Sequence, residues 1–112
     1  MHFTRYDIEC VKSAKDFIDA DISKHHSIPD IASHAGMSAT KLKASFRQIF
    51  GMGIYHYQRE QRLQKGKILL EETDKSIKEI SRSLGYKYVT NFHIAFKNRF
   101  GITAFKLRNQ QL

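Results

Sequence analysis

Apolar residues recur along this chain three and four apart, the spacing of one face of a helix, and no segment is rich in the two-residue alternation of a half-buried strand. Ile8, Val11, Ala14, Ile18 and Ile22, with Phe17 beside them, predict one amphipathic helix over Thr4–Lys24 that braces the short helices after it. Its Asp7, Asp16, Asp19 and Asp21 are expected to face water. Ser27 and Asp30 cap a short helix over Pro29–Ala35, with Pro29 tolerated in the first turn, and Gly36-Met37-Ser38 turns the chain. Ser38 caps a helix Ala39–Phe50 whose Leu42, Ser45, Phe46 and Ile49 share one face. After the break at Gly51-Met52-Gly53, a long helix is predicted over Ile54–Glu72, with apolar contacts from Tyr55, Leu63, Ile68, Leu69 and Leu70. Gly66 in its middle costs about 1 kcal/mol relative to alanine, which points to close helix packing there. Thr73-Asp74-Lys75 leads to a second short helix, started by a Ser76–Glu79 capping box, carried by Ile77, Ile80 and Leu84 and stopped at Gly85. Phe92, Phe96 and Phe100, four apart, mark the next helix, and Thr103 caps a last one, Ala104–Asn109. The fold class is therefore all-α, with about seven helices.

The chain also repeats itself. A shift of 49 residues maps Ile31 onto Ile80 and Gly36 onto Gly85, and a shift of 50 maps Leu42, Phe46, Phe50 and Gly51 onto Phe92, Phe96, Phe100 and Gly101. Residues 27–51 and 76–101 are thus two copies of a helix–turn–helix unit, the second with one extra residue in its turn, joined by the helix over residues 54–72. With the inner face of each second helix used for packing, Thr40, Ala44 and Arg47 point outward in the first copy, with Lys43 at their flank. Thr90, His93, Ile94 and Lys97 take the corresponding places in the second, and Asn91 matches Lys41.

Charge follows the same division. The 112 residues carry a net charge of +8. Residues 1–38 hold four Lys/Arg against six Asp/Glu, residues 39–67 hold seven against one, and residues 75–112 hold eight against one. Positive charge that coincides with the repeated motif is the footprint of a polyanion partner. A groove-entering second helix is what such a motif offers to the DNA major groove.

Other chemistries find little support. The His25-His26 pair and His34 lack a cysteine or carboxylate set at metal-ligand spacing, so no metal or other cofactor is expected. His93 has no carboxylate or nucleophile at a telling distance, and carboxylates are scarce in the basic segments, so the chain is read as no enzyme. The single cysteine, Cys10, fits a reducing cytoplasm, no apolar run reaches the roughly 20 residues of a membrane span, and the N-terminus lacks the apolar core of a signal peptide. The phenylalanines are needed in the core and leave no aromatic platform for single-stranded RNA.

Taken together, these segments closely resemble the DNA-binding domain of the AraC/XylS family of bacterial transcription regulators, over about residues 8–109. The resemblance rests on Leu42, Phe46, Phe50 and Gly51; on Arg62, Leu63, Leu69, Leu70 and Glu72-Thr73; on Ser76–Ile80 and Gly85-Tyr86; and on Asn91–Gly101. Where family members usually have Ser-Pro after each recognition helix, this chain has Gly53-Ile54 and Thr103-Ala104. Where the family often has a base-reading arginine, it has Ala44 and Ile94. Readout would therefore shift to Thr40, Lys41, Lys43, Arg47, Thr90, Asn91, His93 and Lys97, and Lys106 and Arg108 would sit near phosphates.

The resemblance implies sequence-specific binding of double-stranded DNA by two recognition helices in successive major grooves. Its purpose would be transcription regulation, with activation through RNA polymerase the expected mode. The helix over 54–72, about 28 Å long at 1.5 Å per residue, would join the two. The family usually carries an effector or dimerisation domain that nothing in this sequence supplies, so the chain is expected to be either a fragment of a larger regulator, the favoured reading, or a stand-alone member. The rival from another class is a protein-interaction module whose basic face meets an acidic partner.

Overall fold

The computed structural model describes residues 2–110, and every regular element among them is a helix. These are α1 (Arg5–Ala20), α2 (Ile28–Ala35), α3 (Ala39–Phe50), α4 (Ile54–Glu72), α5 (Ile77–Ser83), α6 (Val89–Phe100) and α7 (Ala104–Asn109). One compact unit runs to Arg59 and a second begins at Glu60, so the boundary falls inside α4.

In the first unit, Thr4 caps α1 through a reciprocal box. Thr4 Oγ1 accepts from the Asp7 N–H, and Asp7 Oδ2 accepts from the Thr4 N–H, each at 3.0 Å. The helix ends at Ala20 rather than Lys24. The Asp21 carboxylate accepts from both the N–H and the hydroxyl of Ser23, a local turn that competes with helical bonding and drops Ile22 from the stripe. Asp7 departs from expectation as well: it is buried, because both its oxygens find partners. Asp16, Asp19 and Asp21 are exposed as the pattern predicts.

The core of this unit gathers Val11, Ala14 and Ile18 of α1, Ile31 of α2, and Leu42 and Phe46 of α3, all essentially without exposed surface. Ile54 and Tyr57 of α4 close it, and the Phe46 ring meets Phe50 and Tyr57 edge-on, with centroids 4.8 and 5.5 Å apart. The Tyr57 hydroxyl donates to Asp19 Oδ1 at 2.6 Å. Burial first, then that carboxylate, push the phenol up to about 12, so it remains a neutral donor. Tyr55, expected to pack, is exposed: Ile54, Tyr57 and Gln58 form the buried face at helical spacing, and Tyr55 lies off it.

In the second unit, the buried apolar side chains are Leu63 and Leu70 of α4, Ile80 of α5, Leu84 in the turn, Phe92 and Phe96 of α6 and Ala104 of α7. Ile68, expected in this core, is exposed because Leu63, Gly66 and Leu70 already define the inward line of the helix. Gly66 is where the backbone of α4 comes close: a Cβ there would stand 3.0 Å from Leu84 Cδ1 and 3.0 Å from Phe92 Cε1. Ser76 and Glu79 form the predicted capping box of α5, and Thr103 caps α7. Three residues, 36–38, turn α2 into α3, whereas five, 84–88, connect α5 to α6. Gly36 and Gly85 carry the positive φ values, 74° and 93°, that these turns require.

Truncating Phe46 or Phe96 to alanine should cost about 3–5 kcal/mol in urea unfolding, because each fully buried ring leaves a cavity. Gly66→Ala should also lower stability. Leu84 and Phe92 must shift for the added methyl, at a cost of about 1–3 kcal/mol that outweighs a gain of about 1 kcal/mol in helix propensity. Gly53→Ala, with open space around its Cβ, should be nearly neutral and serves as the control.

Candidate nucleic-acid interface

α3 and α6 are each 12 residues long and each is anchored by residues at matching positions: Leu42 and Phe46 in one, Phe92 and Phe96 in the other. Burying those side chains leaves the opposite arc to solvent. On α3, Thr40, Lys41, Lys43, Ala44 and Arg47 are exposed. On α6, Thr90, Asn91, Ile94 and Lys97 are exposed and His93 is half-buried. The eight contact residues expected from spacing therefore lie on these two arcs, His93 at the edge of its own. Two outward amides that spacing alone does not single out lie on the same arcs, Gln48 and Asn98. The 50-residue shift that aligns Phe46 with Phe96 aligns them too, and an amide of this kind suits the N6/N7 edge of adenine.

The two faces differ in chemistry. α3 presents Lys43, Arg47 and the Gln48 amide around small Thr40 and Ala44. α6 presents Asn91, Asn98 and Lys97 around Ile94, which is 55% exposed. Ser38 caps α3 by accepting from the Lys41 N–H, whereas Tyr88 gives α6 no side-chain cap. Beside that uncapped end a cleft of about 220 Å³ is lined by Lys78, Arg82, Lys87 and Thr90 among others. Helix N–H groups next to cations favour phosphate.

Several cations of the basic segments are turned to the protein itself. Lys41 Nζ lies 2.9 Å from Asp7 Oδ1. That ammonium, and then the Thr4 N–H, hold the Asp7 carboxyl below the usual carboxylate range against the opposing effect of burial. Beside it the Tyr6 hydroxyl donates to the Gly36 carbonyl at 2.9 Å, so the first turn of α1 fixes both the turn and the start of α3. In the second unit, Arg99 donates through Nε and Nη2 to both oxygens of Glu60, at 2.7–3.0 Å, and its pKa is raised by that carboxylate. Arg62, one of the seven cations counted in residues 39–67, is buried rather than at the surface, and desolvation lowers its pKa.

Arg108 corrects a further expectation. Its guanidinium does not wait for a phosphate: it donates to the carbonyls of Leu69, Leu70, Thr73 and Lys75. These oxygens lie at and just beyond the C-terminal end of α4, where a cation is favoured. Lys106 remains exposed. Among the described residues no group of three His, Cys, Asp or Glu is placed to hold a metal ion, and no helix is long and apolar enough to cross a membrane. His26 and His34 instead flank the Phe17 ring, at 4.5 and 4.1 Å.

Comparison with known proteins places these features in a family. A helix-turn-helix domain model matches residues 31–110. The HTH-type transcriptional regulator ArgR of Pseudomonas aeruginosa is 32% identical over 94 residues, covering 84% of this chain and 29% of that protein. The Msm operon regulatory protein of Streptococcus mutans is 32% identical over 100 residues, 89% of this chain and 36% of its own length. The chain thus spans about a third of the curated relatives it matches. Among solved structures, an AraC-type transcriptional regulator from Chromobacterium violaceum superposes with a TM-score of 0.83 at 31% identity, with 91% of each chain covered. The DNA-binding domain of AdpA, solved with a target DNA, shares the fold at a TM-score of 0.84 and 19% identity, covering 91% of this chain and 92% of its own.

Replacing Arg108 by alanine should lower stability by about 1.5–3 kcal/mol, the range for hydrogen bonds to a charged group. Lys106→Ala, at an exposed position of the same helix, should leave the melting temperature nearly unchanged. Similar melting of the two variants would contradict the assignment of Arg108 to the end of α4.

Proposed function

The chain belongs to the AraC/XylS family of helix-turn-helix transcription regulators, and on that premise we propose that it binds double-stranded DNA sequence-specifically through α3 and α6 to regulate transcription. The observation that carries the reading is the matched pair of helices, each with a phenylalanine-anchored inner face and an exposed outer face, rich in cations on α3 and in amides beside Lys97 on α6. Lys43 and Arg47 suit guanine edges, Asn91 suits adenine, and Ile94 offers an apolar contact such as a thymine methyl would accept. Thr40, Thr90, His93 and Lys97 complete the two faces, with phosphates met by the remaining cations and the open end of α6. We extend the reading to activation through contact with RNA polymerase in a bacterial cytoplasm. That contact would be tested by transcription in vitro from a promoter carrying the selected site.

Selection of bound duplexes from a random-sequence library tests the central claim. A defined motif supports it, and uniform recovery would refute it. Because Lys43, Arg47 and Gln48 differ from His93, Lys97 and Asn98, the motif should have two unlike halves in one polarity rather than a palindrome. Adding about half a helical turn (~5 bp) between the halves should weaken binding, and about a full turn (~10 bp) should restore their alignment on one face of the duplex. Equal affinity for all spacings would mean that only one unit engages DNA.

Binding should also be strongly salt-dependent. Residues 39–67 and 75–112 hold 15 Lys/Arg against two Asp/Glu, but Lys41, Arg62, Arg99 and Arg108 are engaged within the fold. If about six phosphates are neutralised, log K should fall with log salt with a slope of about −5. Arg47→Ala and Lys97→Ala should weaken binding while leaving the melting temperature nearly unchanged, since both side chains are exposed.

A further inference from the structure

Lys41 stands on the exposed arc of α3, one turn before Ser45, in the place that Asn91 takes on α6. By charge and position it should be among the first cations to meet DNA. Its ammonium, however, lies 2.9 Å from Asp7 Oδ1. That carboxylate is only 6% exposed, and its other oxygen accepts from the Thr4 N–H at 3.0 Å inside the capping box of α1. Asp7 therefore cannot turn away without giving up the cap that starts α1. Lys41 is 55% exposed and tied at its charged tip. Lys43 and Arg47 on the same helix have no side-chain ion pair among the described residues.

We propose that Asp7 is a specificity-determining residue that acts through Lys41, holding this recognition-helix cation out of the DNA contact so that Lys43 and Arg47 are the cations with which α3 meets the duplex. Breaking the pair on DNA binding would leave a buried carboxylate without its cation, which is costly. An intact pair presents DNA with a neutral couple in place of a free lysine. A free lysine at that place would attach to any sequence through phosphate, so its capture lowers non-specific affinity while leaving base readout to the untied groups.

The inference rests on the DNA-binding reading, and the test separates the two. The full chain, Lys41→Gln, Asp7→Asn and the double variant are titrated with a mixed-sequence duplex over a series of salt concentrations. Folding is checked by circular dichroism. Wild-type binding with a salt slope supports the DNA reading, and its absence would remove both claims. Lys41→Gln should leave the slope at the wild-type value. Asp7→Asn, which keeps an oxygen for the Thr4 N–H, should steepen it by about 0.9, one released phosphate contact more, and the double variant should return to wild type. A merely structural role for the pair would lower the melting temperature and would not steepen the slope. A slope shallower by about 0.9 in Lys41→Gln, or no steepening in a folded Asp7→Asn, would overturn the inference while leaving the DNA reading standing. If Asp7→Asn does not fold, the Lys41→Gln slope decides alone.

Discussion

One buried ring per recognition helix determines how both helices are presented. Phe46 and Phe96 have no exposed surface, and each is met by the next phenylalanine one turn on, Phe50 at 4.8 Å and Phe100 at 4.6 Å. A short helix has a single degree of freedom that matters here, its rotation about its own axis, and a ring locked into a close-packed core removes it. Once that rotation is fixed, the opposite arc must face outward whatever residues it carries. Folding then places no demand on Thr40, Ala44 and Arg47, or on Thr90, Ile94 and Lys97. Those positions can differ between the two copies, and they do.

The same constraint explains why much of the fold is legible in the sequence. Helices held by a spaced apolar face and a local cap can be read to the residue, as with α3 and α7, because both signals lie within a few residues of each other. The outward faces are legible for the same reason. The failures share a different cause. Asp7, Arg62 and Arg108 are charged residues whose positions are decided by partners or surroundings distant in sequence: Asp7 by Lys41, Arg108 by carbonyls more than thirty residues away, and Arg62 by burial in the second unit. Residue type at a given spacing carries no record of such partners. Tyr55 and Ile68 fail for a subtler reason. Both are apolar, yet the inward line of α4 is already filled by Ile54 and Tyr57 in one unit and by Leu63, Gly66 and Leu70 in the other.

Charge count is accordingly a poor measure of the surface a polyanion meets. A buried acceptor within reach outcompetes water for a cation, because an unpaired polar group in the interior is more costly than a solvated one at the surface. Lys41 goes to the buried Asp7 on this principle, while Arg99 pairs with the half-buried Glu60 and Arg108 with carbonyls at the end of α4. Two of these partnerships hold the recognition helices in place, one near the start of α3 and one near the end of α6. The exposed cations outside these partnerships are then the ones whose loss has little structural consequence.

That division has a bearing on how the two faces can evolve apart. On α3, the outward groups outside the ion pairs are Lys43, Arg47 and the Gln48 amide; on α6 they are Asn91, Lys97, the Asn98 amide and the apolar Ile94. A change at any of them leaves Phe46, Phe96, Lys41–Asp7 and Arg99–Glu60 untouched, so the chemistry of the outer face can be altered at little cost in stability. A change at an anchoring residue would act in reverse, disturbing the rotation of the helix and with it every contact on the outer face at once. On the proposed reading, two copies of one scaffold can therefore meet different sequences, because the residues that hold each helix and the residues it presents outward lie on opposite sides of the same short cylinder.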